Sequence, residues 1–212
     1  MIPNEKISAY MNSLLDLCPD ETDKFYAQLV KNGNPVIKRD VAKFLSQIVT
    51  IKQPASILEL GTNVGYSAII MAKQLKNGKV YSVDHRKDLQ DKARENFIEF
   101  GVSDKITLLN GLAKEILSTY LDDDRFDMIF IDADKKGYPD YLDYAVTHLN
   151  RNGIILVDNL YWKGSVISPE DFDKKKSVPI LIEFNKRFTA LEGFNSQILS
   201  IGDGLGFAVK ED

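Results

Sequence analysis

The chain has 212 residues, 44% hydrophobic and 27% charged, which fits one soluble globular domain with a real core. Its 27 basic and 31 acidic side chains leave a net charge of −4, so no global basic field advertises nucleic acid or an acidic membrane. The single cysteine, Cys18, excludes an intrachain disulfide and suits a reducing, cytoplasmic setting.

Residues 1–15 lack a basic segment followed by an apolar one, so no signal peptide is expected. No apolar run approaches the ~20 residues of a membrane helix, so no membrane association is expected either. Instead Ile7, Tyr10, Met11, Leu14 and Leu15 fall at helical spacing. Phe25, Leu29 and Val30 suggest a second helix, and Val41, Phe44, Leu45, Ile48 and Val49 a third. Cys18, beside Pro19, has no partner in sequence and reads as structural or incidental. After Pro54 the pattern changes to apolar runs at 56–60, 79–83, 105–109, 126–131 and 153–157. They have the continuous hydrophobicity of parallel strands covered on both faces. Helical periodicity lies between them, near 65–76, 87–100, 112–121 and 138–149. This alternation predicts a doubly wound α/β sheet. An amphipathic stretch at about 173–190 precedes runs at 195–201 and 205–209, joined by Gly202-Asp203-Gly204. That pattern reads as a hairpin and places one reversed strand in the sheet. No repeat or linker divides the chain, so residues 1–212 are expected to form one domain, with 1–50 a helical addition to a core at 55–212.

The first strand runs into Glu59-Leu60-Gly61-Thr62-Asn63-Val64-Gly65-Tyr66-Ser67. Glycine at a strand end lets backbone approach a ligand. The spacing is G-x-x-x-G, so both the dinucleotide fingerprint and the Walker loop are absent. That favours a cofactor without a pyrophosphate, of which S-adenosylmethionine is the usual one. Asp84, at the end of the second strand and 19 residues after Gly65, can accept hydrogen bonds from ribose hydroxyls or cap the next helix. Small residues at Gly111-Leu112-Ala113 leave room for adenine.

The fourth strand ends in Asp132-Ala133-Asp134-Lys135 and the fifth in Asp158-Asn159. In a parallel sheet both ends lie on the edge that carries the glycine loop. Asp132, Asp158 and Asn159 then offer hard oxygen ligands suited to Mg²⁺ or another divalent cation. Such a cation favours ionisation of a phenol-like hydroxyl, and Lys135 can take the proton. The alternative is that the aspartates are loop caps and Lys135 a solvated charge. His85 and His148 are the only histidines, so a zinc site is not expected, and His148 reads as a surface or capping residue.

These motifs together resemble the cation-dependent O-methyltransferases of the catechol and caffeoyl-CoA type, small bacterial members above all. The resemblance runs from about residue 35 to the end. It rests on Glu59-x-Gly61-x-x-x-Gly65-Tyr66-Ser67, on 130–135 with Tyr138, on Asp158-Asn159-Leu160-x-Trp162-x-Gly164-x-Val166, and on Gly202-Asp203-Gly204. It implies a Rossmann-like class I methyltransferase fold with a mostly parallel seven-stranded sheet. It assigns Asp132, Asp158 and Asn159 to the metal and Lys135, with Asp132, to catalysis. It places Ile37, Glu59, Gly61, Ser67, Asp84, Ala113, Asp132 and Asp134 around S-adenosylmethionine, and it implies a homodimer.

The resemblance implies a small aromatic hydroxyl acceptor. Residues 35–43 depart from the Ser/Thr-rich segment of many small-molecule members, and Lys38, Arg39 and Lys43 are expected near the substrate mouth. With residues 51–54 and 66–69, they resemble the branch that methylates wobble 5-hydroxyuridine in tRNA, so tRNA is the alternative acceptor. Lys136, Lys163 and lysines 174–176 add charge that phosphates could use, or form a solvated lid. Trp162 and Tyr161 read as stacking surfaces for a flat acceptor or as core. A catalytically silent nucleotide-binding protein is a third reading, against which the complete Asp132, Lys135, Asp158 and Asn159 set argues.

Overall fold

A computed structural model describes residues 5–17, 19–168, 170 and 176–211. Cys18, Lys174 and Lys175 lie outside the described residues, as does the start of the stretch at 173–190. Three helices lead: α1 (Glu5–Leu15), α2 (Glu21–Lys31) and α3 (Arg39–Lys52). Asp20 starts α2 with a reciprocal cap, accepting from the Thr22 N–H at 2.7 Å while Asp23 accepts from its own N–H at 3.0 Å. There follow β1 (Ser56–Leu60), α4 (Tyr66–Gln74), β2 (Lys79–Asp84), α5 (Lys87–Glu99), β3 (Ile106–Asn110), α6 (Ala113–Thr119), β4 (Phe126–Ile131), α7 (Tyr138–His148) and β5 (Leu149–Val157). The chain ends with α8 (Ser177–Thr189), β6 (Phe194–Leu199) and β7 (Leu205–Lys210).

The described strands form one seven-stranded sheet in the order β3-β2-β1-β4-β5-β7-β6. The first five strands pair in parallel; β7 runs antiparallel to both β5 and β6. This is the expected Rossmann-like α/β sheet with a terminal hairpin. β5 begins earlier than the apolar run at 153–157 suggests. Leu149 pairs with Phe126 across a register shift, and Asn152 takes a left-handed φ of 57°. Asn150-Arg151-Asn152-Gly153 therefore carries turn chemistry inside a strand.

Strand parity sorts the core into two layers. Ile57, Met128, Phe130 and Leu156 pack with Val41, Leu45 and Ile69 on one face. Leu58, Leu60, Ile129, Ile131 and Val157 pack with Leu142, Phe184 and Phe188 on the other. The apolar positions of α1 do not join either layer: Ile7, Tyr10, Met11 and Leu14 are exposed. Among the described residues no helix is long and apolar enough to cross a membrane.

Candidate active site

Register brings the site together. Leu60 pairs with both Val83 and Ile131, and Ile131 pairs with Val157. The residues that follow, Gly61, Asp84, Asp132 and Asp158, therefore stand in one row across four strand ends. Backbone bonds continue the ladder one step further: Gly61 N–H to Val83 O at 2.9 Å, Asp132 N–H to Leu60 O at 2.9 Å, and Asp158 N–H to Ile131 O at 3.0 Å. The strand order reverses between β1 and β4, which is where open α/β sheets hold ligands. A cleft of about 880 Å³ opens there. Gly61, Ser67, Asp84, Ala113, Asp132 and Asp134 line it, and Ile37 reaches it from the segment between α2 and α3. Gly61 has φ 108°, and a Cβ there would collide with the Asp132 carbonyl oxygen.

Asp84 borders the cleft and accepts from the Asn63 N–H at 2.8 Å and the Arg86 N–H at 2.9 Å. It does not cap α5, whose N-cap position is Arg86 and carries no side-chain cap bond. Asn63 in turn donates its amide to Pro35 O at 2.5 Å, tying the helical addition to the glycine loop. Asp134 accepts from the Tyr141 hydroxyl at 2.7 Å and the Gly137 N–H at 3.0 Å.

Glu59 does not line the cleft; it lies fully buried beneath it. Strand parity turns it to the face opposite Leu58 and Leu60. Ser67 donates to Glu59 Oε1 at 2.5 Å, Ser82 donates to Oε2, and Thr62 lies 2.6 Å from the Ser82 hydroxyl. Burial pushes the Glu59 carboxyl up to about 7, against the two serine hydrogen bonds and with the help of Asp132 and Asp84.

At the other end of the row Lys135 is buried among oxygens. Its Nζ donates to Asn159 Oδ1 at 2.9 Å and Ala133 O at 3.2 Å, and lies 3.5 Å from Asp132 Oδ1. It also donates to the Tyr138 hydroxyl, which itself donates to Asp158 O at 2.9 Å. Burial pulls the Lys135 ammonium down, opposed by Asp132 and Asp158. Burial raises Asp132, opposed by Lys135, and raises Asp158 to about 7, reinforced by Asp132. Two carboxyls held above their ordinary range, with an amide oxygen beside them, make a pocket that favours added positive charge. Among the described residues no group of three or more His, Cys, Asp or Glu side chains could hold a metal, so any cation here depends on Asn159 as well as the aspartates.

The basic residues expected at the mouth are placed differently. Arg39 turns away from the cleft and pairs with Asp16 at 2.6 Å and Asp23 at 2.8 Å, beside a second cavity among α2, α3 and α4. Lys43 borders that second cavity too. Lys38 follows Ile37, and its Nζ lies 3.3 Å from Gly202 O. One helical turn separates residues 39 and 43, so both follow the same face of α3 away from the cleft. Lys136 does line the cleft; Lys163 lies on the loop after β5. Tyr161 packs over Gly204 and reaches Ser200 at 3.0 Å, which occupies its ring on the hairpin. His148, the last residue of α7, stacks on Tyr144, with its Nδ1 2.9 Å from Tyr144 O and its Nε2 2.8 Å from Asp122 O.

Residues 5–211 match the sequence profile of the O-methyltransferase family. The chain belongs to that family. It is 32% identical over 200 residues to the catechol O-methyltransferase of Niastella koreensis, covering 92% of this chain and 87% of that protein. It is 30% identical over 174 residues to caffeoyl-CoA O-methyltransferase 1 of Eucalyptus globulus, covering 78% of this chain and 71% of that one. Among solved structures, the O-methyltransferase from Bacillus cereus in complex with SAH superposes with a TM-score of 0.84 at 27% identity, over 96% of this chain and 97% of that one. TomG from Streptomyces achromogenes, in complex with SAM, gives 0.82 at 26% identity over 98% and 96%.

An O-methyltransferase must set a methyl donor beside an acceptor hydroxyl, and one cleft lies over the row of strand ends. Sequence reasoning missed the Thr62–Ser82–Glu59–Ser67 chain beneath the glycine loop and the tie from Asn63 to Pro35. A signal for the chain was available: Glu59 and Ser82 are polar interruptions in otherwise apolar strands, and such groups need partners when buried.

Proposed function

We propose that this O-methyltransferase moves the methyl group of S-adenosylmethionine to a hydroxyl of a catechol-like or other small aromatic acceptor, with a divalent cation such as Mg²⁺. The observation that carries the reading is the registered row Gly61, Asp84, Asp132 and Asp158, with Lys135 buried against its Asp132 and Asn159 end. Gly61, Ser67, Asp84, Ala113, Asp134 and the backbone near Ile37 surround the donor in this reading, and Glu59 acts from below through Ser67. The Asp84 carboxylate would accept from the ribose hydroxyls of the bound donor, while the Asn63 and Arg86 N–H groups hold it in place.

The donor set fits the cation. Asp132, Asp158 and Asn159 are hard oxygen ligands, few enough to leave positions for water and substrate. Lys135 Nζ lies against Asp132 Oδ1 and Asn159 Oδ1, so the proposed base adjoins two of the three proposed ligands. When bound, Mg²⁺ would lower the pKa of an acceptor hydroxyl, about 10 when free. Burial lowers the pKa of Lys135 and so favours its neutral amine, which accepts the hydroxyl proton at Nζ to become the ammonium, and the Tyr138 hydroxyl holds Nζ in place. The acceptor oxygen then bonds to the methyl carbon as the carbon–sulfur bond breaks, its electron pair staying on sulfur. Holding both partners in line supplies much of the acceleration.

The small-aromatic reading is preferred to wobble 5-hydroxyuridine in tRNA because Arg39 is spent on Asp16 and Asp23 and Lys43 borders another cavity. A homodimer and a cytoplasmic setting complete the proposal. The test is methyl transfer from labelled S-adenosylmethionine to a catechol and caffeoyl panel, run beside tRNA carrying 5-hydroxyuridine. Label in the phenols supports the reading; label in the tRNA alone replaces it with RNA modification.

A further inference from the structure

The Gly202-Asp203-Gly204 turn between β6 and β7 has no part in the chemistry above, yet it bridges two regions that do. On one side it meets the start of α3: the Gly202 N–H donates to Asp40 Oδ2 at 2.9 Å, and Lys38 Nζ donates to Gly202 O at 3.3 Å. On the other it meets the loop after β5, where the Leu160 N–H donates to Gly204 O at 2.9 Å and the Tyr161 N–H to Asp203 O at 2.8 Å. The Asp203 carboxylate takes one more bond, from the Lys163 N–H, at 2.8 and 3.0 Å to its two oxygens. That N–H belongs to an unusual backbone. Trp162 and Lys163 are consecutive left-handed residues, with φ 49° and 56°, a conformation that L side chains of this size adopt rarely. The turn aims the Trp162 indole at Lys135, whose Nζ lies 5.6 Å from the ring centroid.

We propose that Asp203 is the positioning residue of the acceptor loop: its carboxylate holds the left-handed Trp162–Lys163 turn, and so keeps the Trp162 indole beside Lys135 as a wall for a flat aromatic acceptor. The proposal rests on the reading of Lys135 as the base next to the acceptor. Charge and geometry are separable. Asp203 also favours the charged form of Lys135 through its negative charge, whereas asparagine at 203 keeps one oxygen acceptor and drops that charge.

Trp162 is the only tryptophan in the chain, so its emission reports this loop directly. The experiment compares wild type, Asp203→Ala, Asp203→Asn and the double variant Asp203→Ala with Lys163→Gly. Three quantities are read: tryptophan emission with acrylamide quenching, acceptor KM against KM for S-adenosylmethionine, and SAH affinity by calorimetry. Asp203→Ala is expected to shift emission to the red and to raise acceptor KM about tenfold, the usual size of a lost charge-assisted hydrogen bond, with SAH affinity kept within about twofold. Asp203→Asn is expected to keep the wild-type emission. Glycine at 163 tolerates the left-handed turn unaided, so the double variant is expected to recover toward wild type, and it carries the comparison if Asp203→Ala does not fold. Wild-type emission and acceptor KM in Asp203→Ala would overturn the proposal, as would an equal loss of acceptor and SAH affinity. Should the wild type methylate no acceptor, the proposed function fails while the emission series still decides the role of Asp203.

Discussion

Lys135 Nζ lies 2.9 Å from Asn159 Oδ1, which joins the loop after β4 to the loop after β5 in one hydrogen bond. The proposed base and the proposed cation ligand are thus a single unit, and removing either should injure the same step. Lys135→Met and Asn159→Ala are each expected to lower kcat about 10²–10⁴-fold, the range of a lost general base. Cofactor affinity should move by less than about twofold, because neither residue is among the proposed donor contacts. Steady-state kinetics with SAH calorimetry check this; an intact kcat in Lys135→Met would remove it as the base.

Glu59 gives the fold a pH dependence. Its carboxyl is raised from 4.5 to about 7, so between those values the folded chain keeps a proton that the unfolded chain has lost. Stability then falls as pH rises through that window; the cost is absent below it and complete above it. Glu59→Gln removes the titration. Its stability relative to wild type should improve from pH 5 to pH 8, by an amount on the order of 3 kcal/mol. Urea midpoints at the two pH values check this, and a constant difference would contradict it.

Gly61 is held by sterics. With φ 108° and the Asp132 carbonyl in the way, Gly61→Ala has to separate the ends of β1 and β4. A loss of about 2–4 kcal/mol in stability is expected, together with a marked loss of SAH affinity. Chemical denaturation and calorimetry read the two effects.

The carboxyl pair should couple folding to cation binding. Mg²⁺ that binds only the folded chain stabilises it by about 2.7 kcal/mol at a hundred times its dissociation constant. Thermal melts should therefore rise with Mg²⁺ in wild type and stay flat in Asp158→Ala. An equal rise in both would place the cation elsewhere.

The exposed apolar positions of α1 make the proposed homodimer testable. Light scattering should give twice the chain mass, and Met11→Glu with Leu14→Glu should shift it toward the single chain. Monomeric wild type would remove the dimer.

Much of this arrangement was legible in the sequence, because the apolar runs of β1, β2 and β4 end in Gly61, Asp84 and Asp132, and parallel register then fixes their common edge. What was not legible depends on contacts between distant segments. Arg39 reads as a free basic residue until α1 and α2 bring Asp16 and Asp23 to it. The helical spacing of Ile7, Tyr10, Met11 and Leu14 implies a buried face, but periodicity does not say what covers it, and here they are exposed. The apolar run at 153–157 stops short of the true start of β5, because Asn150-Arg151-Asn152 carry no apolar pattern; pairing of Leu149 with Phe126 across a register shift extends the strand back to them. The burial of Glu59 under the glycine loop follows from strand parity, yet the motif alone assigns it to the cofactor.

The central claim is cation-dependent methyl transfer to a small aromatic hydroxyl, and one measurement tests it most directly. Labelled S-adenosylmethionine and a catechol are offered to wild type with Mg²⁺, to wild type with chelator, and to Asp158→Ala with Mg²⁺. The account predicts label in the catechol in the first case, with transfer lost in the other two while SAH still binds. Full transfer with chelator, or in Asp158→Ala, would contradict it.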